Sequence, residues 1–173
     1  MPDAIGLLDA HHGQDLTLLA GQLYVGTTAR SVRTLLGSCV AVALWSPRYR
    51  VGGLCHYLLP SRQHKQGEPL DGRFAEEALH LMVYLMHCYG ARPSECEAHL
   101  HGGADTLPDT GGARFNVGER NIERGWQLIE HHGFQLVNVD VGDHVPRHVT
   151  MDMVTGEVSV RRGASMASHG VAA

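Results

Sequence analysis

Thr34-Leu35-Leu36-Gly37-Ser38-Cys39-Val40-Ala41-Val42-Ala43-Leu44-Trp45, followed by Gly52-Gly53-Leu54-Cys55-His56-Tyr57-Leu58-Leu59-Pro60, is the stretch that decides the fold. Two apolar, β-branched runs flank the turn signal Ser46-Pro47-Arg48-Tyr49-Arg50 and read as a β-hairpin. A turn centred on Pro47-Arg48 sets Ser46 opposite Tyr49 and, counting outward, Cys39 opposite His56. Directly opposed residues share a sheet face with Cβ atoms about 4.5–5.5 Å apart. A thiol beside an imidazole is the minimum equipment of a cysteine nucleophile, because the imidazolium favours the thiolate and later protonates the leaving group. Cysteine is more often a small buried hydrophobe. Gly37-Ser38 tips the balance: glycine permits unusual backbone geometry there, and amides around Ser38 and Cys39 can face an oxyanion. Cys55 lies one residue from His56, on the opposite strand face, and reads as core. Cys39 is therefore the cysteine expected to hold a thiolate population at neutral pH.

Both runs are apolar on both faces, so their sheet must be covered on both sides. The expected fold is α/β, a layered sandwich of mixed or antiparallel β-sheets with two long helices packed outside. Gln22–Val25 reads as a short strand. A helix is expected from Asp71, as N-cap, to Tyr89, with Phe74, Ala78, Leu81, Met82, Leu85 and Tyr89 at helical spacing and Gly90 as the stop. Glu97–His101 reads as a strand, followed by a glycine-rich loop through Gly111-Gly112 that matches no phosphate-binding motif. Asn116 with Glu119 three residues on opens a second helix, with Ile122, Trp126 and Ile129 inward and Gly133 at its end. Phe134–Val141 alternates as a strand, and Val149–Val154 with Glu157–Arg161 form a hairpin around Thr155-Gly156. That makes six or seven strands. The domain reading is an N-terminal arm over 1–20, one catalytic domain over 21–162 and a flexible tail over 163–173.

The composition, 43% hydrophobic and 18% charged with 21 glycines, suits a loop-rich globular chain. A net charge of -4 with no dense cationic run argues against nucleic acid and membrane surfaces as partners. No stretch approaches the roughly 20 apolar residues of a membrane span, and the N-terminus shows no basic region followed by a long apolar core, so nothing there suggests export. Four cysteines without disulfide or zinc-ribbon spacing suit a reduced, cytoplasmic protein. Thirteen histidines invite a metal reading. His99 with His101, His144 with His148, and His80 with His87 could each share a face, yet none has a carboxylate or cysteine at a recognised ligand spacing. No metal and no cofactor are expected.

The motifs Leu36-Gly37-Ser38-Cys39-Val40-Ala41-Val42, Gly52 to Pro60, Gly102-Gly103-Ala104, Asn116-Val117-Gly118-Glu119-Arg120-Asn121 and a closing segment from Asp140 to Arg162 resemble CheD, the chemoreceptor glutamine deamidase family. The resemblance runs from about Tyr24 to Arg162 and departs from the family pattern at Asp143-His144 and Phe74. It implies a cysteine hydrolase with a Cys-His-Thr triad, in which Cys39 and His56 match the nucleophile and base and Thr34 the third member. It implies chemoreceptor cytoplasmic helices as substrate, docking of a CheC-type phosphatase, and no cofactor. A γ-glutamyl methyl ester could be hydrolysed at the same site. The alternative reading is a non-catalytic adaptor for that phosphatase.

Overall fold

The computed structural model describes residues 11–106 and 116–164. In chain order the strands are β1 (Asp15–Leu18), β2 (Leu23–Gly26), β3 (Ser31–Leu36), β4 (Val40–Ser46) and β5 (Val51–Tyr57). Helix α1 (Ala75–Cys88), strand β6 (Glu97–Gly102) and helix α2 (Val117–His132) follow, and β7 (Gln135–Val141), β8 (Arg147–Asp152) and β9 (Val158–Arg162) close the chain. The strands form two sheets, ordered β1-β3-β8-β9 and β2-β5-β4-β6-β7. The α/β sandwich expected from sequence is the fold found, with nine named strands rather than six or seven.

Alternation in β4 and β5 explains the layering. Val40, Val42, Leu44, Cys55 and Tyr57 face one way and pack with Leu79, Met82 and Met86 of α1 and Leu128 and Ile129 of α2. Ala41, Ala43, Trp45 and Leu54 face the other way and meet Val32, Leu36, Val149 and Met151 of the four-stranded sheet. Every residue of β4 and β5 is buried, as a strand covered on both faces must be. The helices cover one face of the five-stranded sheet, and the second sheet covers the other.

The opening stretch turns out to hold two strands in two sheets. Leu36 ends β3, Val40 begins β4, and Gly37-Ser38-Cys39 carries the chain from one layer to the other. The hairpin register also differs from the count made from the turn. Ser46 pairs with Val51 around a four-residue loop, closed by Arg50 N–H to Ser46 O at 2.8 Å, with Arg50 at φ 51°. Ala41 therefore lies opposite His56, and Cys39 is two residues further along. A slip of two residues keeps every side chain on its face, so Cys39 still shares the His56 side.

Two helix details depart from the pattern. Asp71 does not cap α1. Its carboxylate instead accepts from the Arg73 backbone N–H at 2.9 Å and pairs with the Arg73 guanidinium, and the helix starts at Ala75 after an extended Phe74. Asn116 does cap α2, accepting from Glu119 N–H at 3.0 Å. The face α2 buries is Gly118, Asn121, Gly125, Leu128 and Ile129, while Trp126 is 40% exposed and bonds Glu130. Small residues win those positions because a Cβ at Gly118 would strike Gly103 O, and one at Gly125 would strike the Tyr57 hydroxyl. Within the expected N-terminal arm, residues 15–18 pair in parallel with β3 as an edge strand. Much of the glycine-rich loop and most of the expected C-terminal tail lie outside the described residues.

Candidate active site

Thr34, Cys39 and His56 come from three different places. Thr34 is on β3, His56 on β5, and Cys39 on the link between the sheets. In β3, Val32, Thr34 and Leu36 point into the sandwich while Arg33 and Leu35 point to solvent, so the alternation of β3 delivers a buried hydroxyl to the seam between sheets. His56 projects into the same seam from β5 and is 5% exposed. Thr34 Oγ1 lies 2.7 Å from His56 Nδ1 and 2.8 Å from Leu18 O. A carbonyl only accepts, so the hydroxyl donates to Leu18 O and Oγ1 accepts from Nδ1–H. That fixes the tautomer and leaves the lone pair on Nε2, which is buried and has no hydrogen-bond partner among the described residues.

Cys39 precedes the first rung of the β4–β5 ladder by one residue and packs against the inter-sheet cluster. Its position is partly exposed, whereas Cys55 and Cys96 are buried and Cys88 is exposed at the end of α1. Burial raises the Cys39 thiol above its usual value and pushes the Cys55 thiol up to about 12. Burial also lowers His56 to about 4. Both shifts favour the neutral forms, thiol and imidazole. The thiolate–imidazolium pair expected from sequence is opposed by burial, and Thr34 brings no compensating charge.

Ala41 sits between two histidines, opposite His56 on one side and His101 on the other. His101 is fully buried with both ring nitrogens without a partner among the described residues, stacks on His99 at 6.1 Å between ring centres, and is lowered by burial to about 4. Behind it, the fully buried Arg147 of β8 reaches across the seam. Its Nε donates to Asp140 Oδ1 at 3.1 Å and its Nη1 to Gly142 O at 2.8 Å. This pair joins the second sheet to β7 close to the end of the sandwich that carries Cys39.

The model of the family described as CheD chemotactic sensory transduction matches residues 58–162. The chain belongs to the CheD family. The probable chemoreceptor glutamine deamidase CheD 3 of Dechloromonas aromatica is 38% identical over 144 residues, covering 83% of this chain and 85% of that one. CheD 1 of Chromobacterium violaceum, named in the same way, is 36% identical over 87% of this chain and 78% of its own. The Methanococcus maripaludis CheD is 32% identical over 87% of this chain and 97% of its own length. Among solved structures, the Bacillus licheniformis hypothetical protein YfiH superposes with a TM-score of 0.46 at 12% identity, covering 76% of this chain and 60% of that one.

Asn121 and Arg147 escaped the reading of residues in this CheD chain. Asn121 appears in sequence as one more polar residue after a capping motif, and Arg147 as one more surface cation. Only the glycines around Asn121 hinted that its helix face makes a close approach. Among the described residues no helix is long and apolar enough to cross a membrane.

Proposed function

We propose that this protein is a cysteine-dependent chemoreceptor glutamine deamidase with Cys39 as nucleophile, His56 as general base and acid, and Thr34 as the residue that orients the imidazole. The observation that carries the reading is the relay from Leu18 O through the Thr34 hydroxyl to His56 Nδ1, which leaves Nε2 buried and without a partner among the described residues, between the sheets where Cys39 also packs. The names of the relatives supply the substrate class, glutamine side chains of chemoreceptors. The acidic balance and the lack of a membrane-spanning helix among the described residues fit action on the cytoplasmic part of a receptor.

As Cys39 Sγ attacks the carboxamide carbon, its proton passes to His56 Nε2. The carbonyl oxygen becomes an oxyanion facing the Ser38 and Cys39 amides. Collapse of the tetrahedral adduct breaks the C–N bond, and the imidazolium gives its proton to the departing nitrogen, releasing ammonia. A water then attacks the γ-glutamyl thioester while neutral His56 takes its proton, and the second collapse frees glutamate and returns the thiol. Thr34 accepts from Nδ1–H throughout, and this bond strengthens when the ring is charged.

The partly exposed position of Cys39, at the start of a strand and not deep in the sheet, suits a helix surface that cannot be drawn into a cleft. The experiment is ammonia release from folded receptor cytoplasmic fragments, with mass spectrometry of the glutamines changed to glutamate. Wild-type protein should convert a few sites, and Cys39→Ala and His56→Ala none. Turnover by Cys39→Ala, or free glutamine consumed as fast as receptor fragments, would refute the reading.

A further inference from the structure

We infer that Asn121 is a positioning residue of this site: it holds the Ser38–Cys39 peptide so that the Cys39 N–H faces the oxyanion. The inference rests on the function proposed above. The carbonyls of the link between sheets are each engaged. Ala104 N–H donates to Gly37 O at 3.0 Å, Asn121 Nδ2 to Ser38 O at 3.2 Å, and Gly103 N–H to Cys39 O at 2.8 Å. In a planar trans peptide the carbonyl and the following N–H point in opposite directions. Engaging the Gly37 and Ser38 carbonyls therefore aims the Ser38 and Cys39 amides the other way, and neither amide donates to a backbone carbonyl among the described residues. Two of the three carbonyls are held by backbone, and backbone cannot be lost by substitution. The Ser38–Cys39 peptide alone depends on a side chain.

Asn121 also ties this peptide to the strand that carries the base. The same Nδ2 donates to Leu58 O at 2.7 Å, two residues beyond His56. Its two acceptors are carbonyls, so the amide nitrogen must be the atom that faces them. The β4–β5 ladder ends at Val40–Tyr57, and the Asn121 carboxamide bridges the two chains just past that rung. The helix under it is fixed in turn, since the Tyr57 hydroxyl donates to Asn121 O at 2.6 Å. Asn121 is fully buried and its Oδ1 has no partner among the described residues. The unpaired amide oxygen offsets part of what the two Nδ2 hydrogen bonds contribute to the fold, whereas the reaction gains a preset Cys39 N–H.

The test measures receptor-fragment deamidation by Asn121→Ala and Asn121→Ser, with thermal unfolding as the check that each is folded. In parallel, the rate of Cys39 modification by iodoacetamide is read by peptide mapping. Alkylation passes through no oxyanion, so it reports the thiol and His56 alone. We expect kcat to fall about 30- to 300-fold, approaching the loss seen when an oxyanion donor is removed, with KM and the Cys39 alkylation rate within about 3-fold of wild type. An unchanged kcat in a folded variant overturns the inference, as does a parallel fall in kcat and alkylation, or a rise in KM alone. Failure of both variants to fold overturns it too, by assigning Asn121 to the fold. Failure of the underlying reading looks different: Cys39→Ala would then keep its activity.

Discussion

Replacing Thr34 with valine keeps a β-branched side chain of nearly the same shape in β3 and removes only the hydroxyl. Two hydrogen bonds disappear, at 2.7 Å to His56 Nδ1 and 2.8 Å to Leu18 O, and both former partners are left in the seam between the sheets. A buried group left unpaired costs about 1–3 kcal/mol, so with partial relaxation the variant should lose about 2–4 kcal/mol of stability. The catalytic loss has another source. When His56 carries the proton, Nδ1–H is a charge-assisted donor, and such a bond is worth about 1.5–3 kcal/mol. Its absence in the transition state predicts a drop in kcat/KM of about 10- to 150-fold. The effect should stay well short of full inactivation, because a hydroxyl orients the ring but brings no negative charge to stabilise it. Thr34→Ser keeps the relay and should retain activity within about 3-fold, while losing about 1 kcal/mol for one buried methyl. Continuous ammonia release gives the rates, and urea unfolding of both variants separates stability from chemistry. Wild-type kcat/KM in a folded Thr34→Val protein would refute the relay.

With His56 lowered to about 4, the acid limb of kcat/KM should have its midpoint well below the ordinary imidazole value of 6.5, and a limb centred at or above 6.5 would contradict the neutral resting pair. His56 and His101 both titrate near 4 when folded and near 6.5 when unfolded, so the unfolded chain binds more protons between those values. Stability should therefore be full above pH 6.5 and fall as pH drops towards 4; His101→Leu should make the urea midpoint less pH-dependent, and a flat profile in the wild type would sink the argument. Gly102→Ala should cost about 2–4 kcal/mol and most of the activity, since φ is 106° and a Cβ there would collide with Cys39 O, whereas Gly133→Ala, with open space around it, should cost about 1 kcal/mol. Comparable unfolding midpoints for the two variants would remove the special role of Gly102.

The sequence made one face of the hairpin legible and the register less so. Which residues share the His56 side depends only on parity, and parity survives a slip of two. The slip itself arose because Pro47-Arg48 looks like the centre of a two-residue turn, while Arg50 adopts a positive φ that no glycine advertised. The division of Thr34–Trp45 into two strands was hidden for a different reason. Leu36 and Val40 are equally apolar, and only long-range pairing with Arg147 on one side and Tyr57 on the other assigns them to different sheets. Helix α2 was placed correctly by its Asn116 cap and Gly133, and Ile122 and Ile129 do pack inward, yet Trp126 is exposed and the glycine part of the buried face went unread, because hydrophobic spacing cannot register a face that packs through glycines. Asn121 belongs to that same face.

The link at Gly37–Cys39 has a consequence for when the protein becomes reactive. In the proposed mechanism the base comes from one layer, the orienting hydroxyl from the other and the nucleophile from the joint, so the three cannot meet until the layers have docked. A half-assembled chain emerging during synthesis would carry the sulfur and the imidazole but no relay and no fixed amides. On the proposed mechanism the sandwich would work as its own safety catch, withholding amide-cleaving power from every form of the chain except the finished one.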